Sequence, residues 1–189
     1  MNDLLQGDTA LITGAASGIG RGIALALAHE GVGVVLSDNN AVNGQRVADD
    51  LNATGAQASF LHADLSSADG AERLIRETIS RLGQLSILVH SASPKREENQ
   101  TADTVTDEQW LAMTNVNLTS GFKLGRAAAQ HMRDRKIAGR ILFITSLHAD
   151  TPRNLPHYSA SKAGTTMVMK ELARAYGSYG IRVNAIAPG

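Results

Sequence analysis

Tyr158 and Lys162 stand four positions apart in Y-S-A-S-K, with Ser146 twelve residues upstream and Asn117 further back. Four residues are about one helical turn, so a helix over this stretch brings the phenol and the ammonium to one face. A cation beside a phenol favours the phenolate, which makes the pair a recipe for a tyrosine base. A free phenol titrates near ~10, and a proton acceptor working near neutrality needs roughly 3 to 4 kcal/mol of differential stabilisation. One ammonium and a cationic cofactor nearby supply charge of the right sign.

These groups must be held by the elements around them, and the chain alternates short apolar runs with longer helical patterns. Strands are predicted over Thr9 to Thr13, Gly33 to Ser37, Gln57 to His62, Leu85 to Val89, Arg140 to Thr145 and Ile181 to Ala187. Helices are predicted over Gly18 to Glu30, Ala41 to Ala53, Ala68 to Leu82 and His157 to Tyr179, and over Thr106 to Lys136 in two pieces broken near Asn115 to Asn117. Strands separated by helices imply parallel pairing, because a parallel neighbour needs a long crossover. The predicted fold is a doubly wound parallel sheet with helices on both faces, a single dinucleotide-binding catalytic domain over residues 1–189.

The first strand runs into T-G-A-A-S-G-I-G, Thr13 to Gly20. Gly14 permits a tight turn, Gly18 lets backbone approach a pyrophosphate, and Gly20 lets the helix pack on the sheet, with the helix N-terminus favouring negative charge. Asp38 closes the second strand eighteen residues after Gly20. A carboxylate there accepts hydrogen bonds from the adenosine ribose hydroxyls and repels a 2′-phosphate, which predicts NAD over NADP. The plainer alternative is that Asp38 opens a solvated turn with Asn39 and Asn40.

Composition bounds the rest. Eighteen basic and eighteen acidic residues balance, so nothing points to nucleic acid or an anionic membrane. There is no cysteine, which removes disulfides and thiolate chemistry and suits a reducing, cytoplasmic setting. Met1 to Asp8 carries Asp3 and Asp8 rather than a basic leader, so neither signal peptide nor membrane helix is predicted. The six histidines lack paired ligand spacing, and no metal is expected.

Together with V-N-L at Val116 to Leu118, I-T-S at Ile144 to Ser146 and R-V-N-A-I-A-P-G at Arg182 to Gly189, these segments resemble the short-chain dehydrogenases/reductases over the whole chain and in order. The resemblance implies a hydride transfer between a nicotinamide and a secondary alcohol or ketone. It makes Tyr158 the acid/base, Lys162 its pKa-lowering neighbour and a ribose ligand, Ser146 the holder of the substrate oxygen, and Asn117 the residue positioning a water behind Lys162. Cofactor contacts are implied at Gly14, Ser17, Gly18, Ile19, Gly20, Asp38, Ser91, Ala92, Tyr158, Lys162, Pro188 and Gly189, with Asp64 and Leu65 at the adenine. Many family members are tetramers joined by helices matching Thr119 to Lys136 and His157 to Tyr179, so a homotetramer or dimer is expected. S-L-H and P-H-Y-S-A-S-K lean toward bacterial sugar or polyol dehydrogenases. A 3-oxoacyl-thioester reductase using NADP is the alternative, for which a basic residue near Ser17 or Asn39 is expected; a non-catalytic nucleotide sensor or scaffold is the alternative of another class.

Three departures stand out. His90, Ser91, Ala92 and Ser93 replace the family's N-N-A-G, and with it the asparagine bonds that tie the central sheet are expected to be lost. Ser146 precedes Tyr158 by twelve residues where thirteen is familiar, leaving Thr145 as the fallback hydroxyl. The sequence given stops where the family's lid and last strand would follow, so both are expected to be missing. The run Lys95, Arg96, Glu97, Glu98 after Pro94 reads as an exposed turn, His148 and His157 as flanking the active-site loop, and Met167, Met169 and Leu172 as core or subunit-packing residues.

Overall fold

The computed structural model describes residues 5–97 and 99–189; Met1 to Leu4, with Asp3, and Glu98 of the charged run lie outside the described residues. Six strands pair in parallel in the order β3-β2-β1-β4-β5-β6. They are β1 Thr9–Thr13, β2 Gly33–Asp38, β3 Ala58–His62, β4 Ile87–His90, β5 Arg140–Ile144 and β6 Arg182–Ile186. The helices are α1 Gly18–His29, α2 Ala41–Ala53, α3 Gly70–Leu82, α4 Asp107–Thr114, α5 Ser120–Asp134 and α6 Pro156–Tyr176.

The near-continuous apolar strands suit a sheet covered on both sides. Side chains alternate along β1. Ala10 and Ile12 join the core beneath α1 and α2, with Ala24, Val47 and Leu51. Leu11 joins the opposite core beneath α3, α5 and α6, with Leu74, Leu124, Phe143 and Leu172. Strand order reverses between β1 and β4, which opens a crevice at their carboxyl ends, where open α/β sheets bind ligands.

Two boundaries bear on function. The break predicted near Asn115 to Asn117 is instead a π-helical turn, Asn115–Thr119, continuous with α4 and α5. Asparagine's poor helix propensity reads locally as a stop, whereas tertiary packing keeps the helix and accommodates an extra residue. The strand predicted over Leu85 to Val89 runs over Ile87–His90, which places His90 inside the sheet. Met167 is 55% exposed while Leu172 is core and Met169 packs against it, so the three residues do not share one environment. Among the described residues, no helix is long and apolar enough to cross a membrane, and no three His, Asp or Glu side chains are grouped to hold a metal ion.

Candidate active site

The glycine turn between β1 and α1 forms one wall of the crevice. Gly14 has φ 68°, and a Cβ there would lie 2.8 Å from the Ala92 backbone, so glycine lets β1 approach the end of β4. Gly18 has φ 53° with nothing within 4 Å of where a Cβ would sit, so its backbone faces open space. The first turn of α1 carries no acidic residue, and Ser17 makes no side-chain cap, which leaves the helix-terminal N–H groups available to an anion. A dinucleotide's pyrophosphate fits this cradle. Asp38 closes β2 with Oδ2 accepting from Ala16 N at 3.0 Å and Oδ1 from Asn40 N at 2.9 Å. The carboxylate therefore staples the glycine turn and also begins the polar turn, while an ionised carboxylate retains lone pairs for ribose hydroxyls.

On the opposite wall, α6 starts at Pro156 and presents Tyr158 and Lys162 on one face. The Lys162 ammonium donates to Ile144 O at 2.8 Å and lies 5.6 Å from the centre of the Tyr158 ring. Burial, and next the charge of Arg96, pulls the lysine pKa from 10.5 down to about 8. β5 ends at Ile144, one residue before the predicted boundary, so Thr145 and Ser146 follow different paths. The Thr145 hydroxyl donates to Ile186 O at 3.1 Å, fastening β5 to β6. Ser146 is extended, with φ −167°, and caps a short 3₁₀ turn, its Oγ accepting from His148 N at 3.3 Å. Its own proton remains available to a substrate oxygen.

Asn117 lies in the π-helical turn, buried and behind the cleft rather than on its lining. Its Nδ2 donates to Ser161 Oγ at 2.9 Å, and that hydroxyl donates to Tyr158 O at 2.8 Å, so Asn117 steadies the first turns of α6. Its Oδ1 is buried and unpartnered among the described residues.

The asparagine bonds are lost, and His90 ties the central strands in a different way. Thr13 Oγ1 accepts from Ser91 N and Ala92 N, both at 3.2 Å, and has one proton left for His90 Nδ1 at 3.0 Å. Counting donors then puts the ring proton on Nε2, which donates to Asn117 O at 3.2 Å. Burial, and next the charge of Lys162, holds the His90 pKa down at about 4, so the imidazole is neutral. Gly121 makes room for the ring: a Cβ there would be 3.0 Å from Cδ2. Sequence reasoning missed that an imidazole can tie the strands at this position, because β4 ends at His90, one residue past the predicted end.

Ser146, Tyr158 and Lys162 share a cleft of about 910 Å³ with Gly14, Ser17, Gly18, Ile19, Gly20, Asp38, Ser91, Pro188 and Gly189. An adjoining cavity of about 530 Å³ is lined by Asp64, Leu65 and Ala92. Asp64 Oδ1 accepts from Ser66 Oγ and Ser66 N, which lowers its pKa. The cleft is also lined by Arg96, His148 and Arg153. Arg96 is exposed, as the charged run after Pro94 predicts, and its guanidinium also stacks over the Tyr158 ring, 4.7 Å from its centre. His148 meets the same ring edge-on at 5.1 Å, and Arg153 lines the cleft beside it. His157 instead faces inward, its Nε2 3.2 Å from Gln100 Oε1. The only signal for Arg96 was its place two residues after Pro94, where the chain leaves β4.

The short chain dehydrogenase family model matches residues 8–189. Glucose 1-dehydrogenase 2 of Bacillus subtilis is 34% identical over 187 residues, 98% of this chain and 72% of that protein. The 3-oxoacyl-acyl-carrier-protein reductase FabG of Pseudomonas aeruginosa is 35% identical over 186 residues, 98% of this chain and 74% of that protein. The crystal structure of a short chain dehydrogenase from Mycobacterium smegmatis superposes with a TM-score of 0.92 at 30% identity, covering 99% of this chain and 78% of that one.

Proposed function

Because the chain belongs to the short-chain dehydrogenase family, oxidoreductases that act on alcohols and ketones with NAD(P), we propose that Tyr158 is its acid/base and NAD its cofactor. The observation that carries this reading is the convergence of the Tyr158 phenol, the Lys162 ammonium and the Ser146 hydroxyl on the cleft that the glycine turn closes. When bound, the nicotinamide supplies the hydride acceptor or donor. In alcohol oxidation Tyr158 takes the hydroxyl proton, and Ser146 donates to the substrate oxygen as negative charge develops on it. Lys162, held by Ile144 O, keeps positive charge beside the phenol. Asn117, through Ser161, fixes the backbone of Tyr158.

Asp38 favours NAD, because a 2′-phosphate would meet a carboxylate fixed by Ala16 N and Asn40 N, with serine at position 17 and asparagine at 39 offering no cation. The likeness to glucose 1-dehydrogenase 2 supports a sugar or polyol substrate. Residues 1–189 act as one catalytic domain in this reading. Met167 on α6 and Phe122 on α5 are 55% and 40% exposed, which supports packing of these helices in a homotetramer or dimer. The absence of cysteine suits the cytoplasm.

The test is NAD- and NADP-dependent turnover against a panel of sugars, polyols and 3-oxoacyl thioesters, with Tyr158→Phe as control. Tyr158→Phe should keep nucleotide binding and lose at least ~10²-fold in turnover. Near-normal turnover in that variant would place the acid/base elsewhere.

A further inference from the structure

The substrate end of the cleft carries more positive charge than the reaction needs. Lys95, Arg96 and Arg153 line it in addition to Lys162, whereas the one carboxylate on the lining, Asp38, closes β2 beside the glycine turn. Neither Arg96 nor Arg153 forms an ion pair with a described residue. Both lie near enough to His148 to depress its pKa, after burial, and Arg96 acts in the same sense on Lys162. Like charges gathered without a counter-ion repel one another, and a bound anion relieves that repulsion.

Position narrows the anion's identity. The Arg96 guanidinium sits 4.7 Å above the ring of Tyr158, so a group it holds lies beside the reacting carbon. The helix-terminal cradle for a pyrophosphate belongs to the glycine turn, on the other wall. A guanidinium presents paired N–H donors that match a carboxylate in bidentate fashion. We propose that the physiological substrate is a hydroxy or oxo acid whose carboxylate, a few bonds from the reacting carbon, is held by Arg96 and Arg153. This rests on the hydride-transfer reading above and specifies its substrate class.

The experiment uses matched pairs differing in charge, acetoacetate with methyl acetoacetate and gluconate with glucose, on wild type, Arg96→Gln/Arg153→Gln and Arg96→Lys. Calorimetric titration onto NAD-loaded protein should show the anion of at least one pair binding tenfold or more tightly than its neutral partner. The double variant should lose that preference, and Arg96→Lys should keep part of it. In turnover, the double variant's loss in kcat/KM for the acid should exceed its loss for the neutral compound by at least tenfold. Equal binding within both pairs, or a preference that survives the double substitution, overturns the proposal. So does a double variant whose main defect is weaker NAD binding, because the arginines then serve the pyrophosphate. Arginine-dependent anion binding without turnover of any compound would instead overturn the hydride-transfer reading and leave the anion site standing.

Discussion

Replacing Lys162 by Met should stabilise the nucleotide-free fold while abolishing turnover. The lysine is 4% exposed, and burial followed by the Arg96 charge lowers its pKa from 10.5 to about 8. That gap of about 2.5 pH units corresponds to roughly 3 kcal/mol spent holding the ammonium in the folded state at neutral pH. Methionine keeps the apolar stem and gives up the 2.8 Å bond to Ile144 O, a loss of about 1 kcal/mol. The net gain of about 2 kcal/mol should raise Tm by about 4 to 8 °C in a chain of this size. A lysine with a depressed folded pKa binds fewer protons folded than unfolded between about 8 and 10.5, so wild-type stability from this group rises with pH across that window. The advantage of methionine should therefore be full at pH 7 and shrink toward pH 10. Urea unfolding of both proteins followed by circular dichroism measures it. A variant less stable than wild type at pH 7, or a stability difference that does not change with pH, refutes the reasoning.

Ser146→Ala should lower turnover by roughly 10² to 10³, whereas Thr145→Val should stay within about tenfold and act mainly on stability through its bond to Ile186 O. The reverse order of damage in steady-state assays would transfer the role to Thr145. Calorimetry should find NAD at least tenfold tighter than NADP, about 1.4 kcal/mol, and Asp38→Ala should narrow that ratio while weakening both through the lost staple to Ala16 N; equal affinities in wild type remove Asp38 from the selectivity argument. For His90, the folded pKa of about 4 lies below the ordinary 6.5, so the unfolded chain binds more protons between them and stability falls as pH drops through that window, by roughly 3 kcal/mol. His90→Asn should be less stable at pH 7 yet lose less on acidification, and a wild-type acid slope retained in the variant would show that another group sets it.

The sequence alone determined whatever depends on short intervals along the chain. The one-turn spacing of Tyr158 and Lys162, the glycines between β1 and α1 and the alternation of apolar runs with helices are all written within about thirty residues, where backbone periodicity links neighbours directly. Only the tertiary structure decided how distant residues share a space. Thr13 and His90 lie 77 positions apart, and the register that joins β1 to β4 is what makes an imidazole tie the two strands. The π-helical turn keeps Asn117 buried against Ser161, 44 positions away, where local helix propensity read a break. The hydroxyls of Thr145 and Ser146 were separated by β6, whose Ile186 carbonyl claims the threonine. Arg96 is exposed as its charged run predicts, but the aromatic face it stacks on belongs to a helix sixty residues later, and such pairing leaves no local trace.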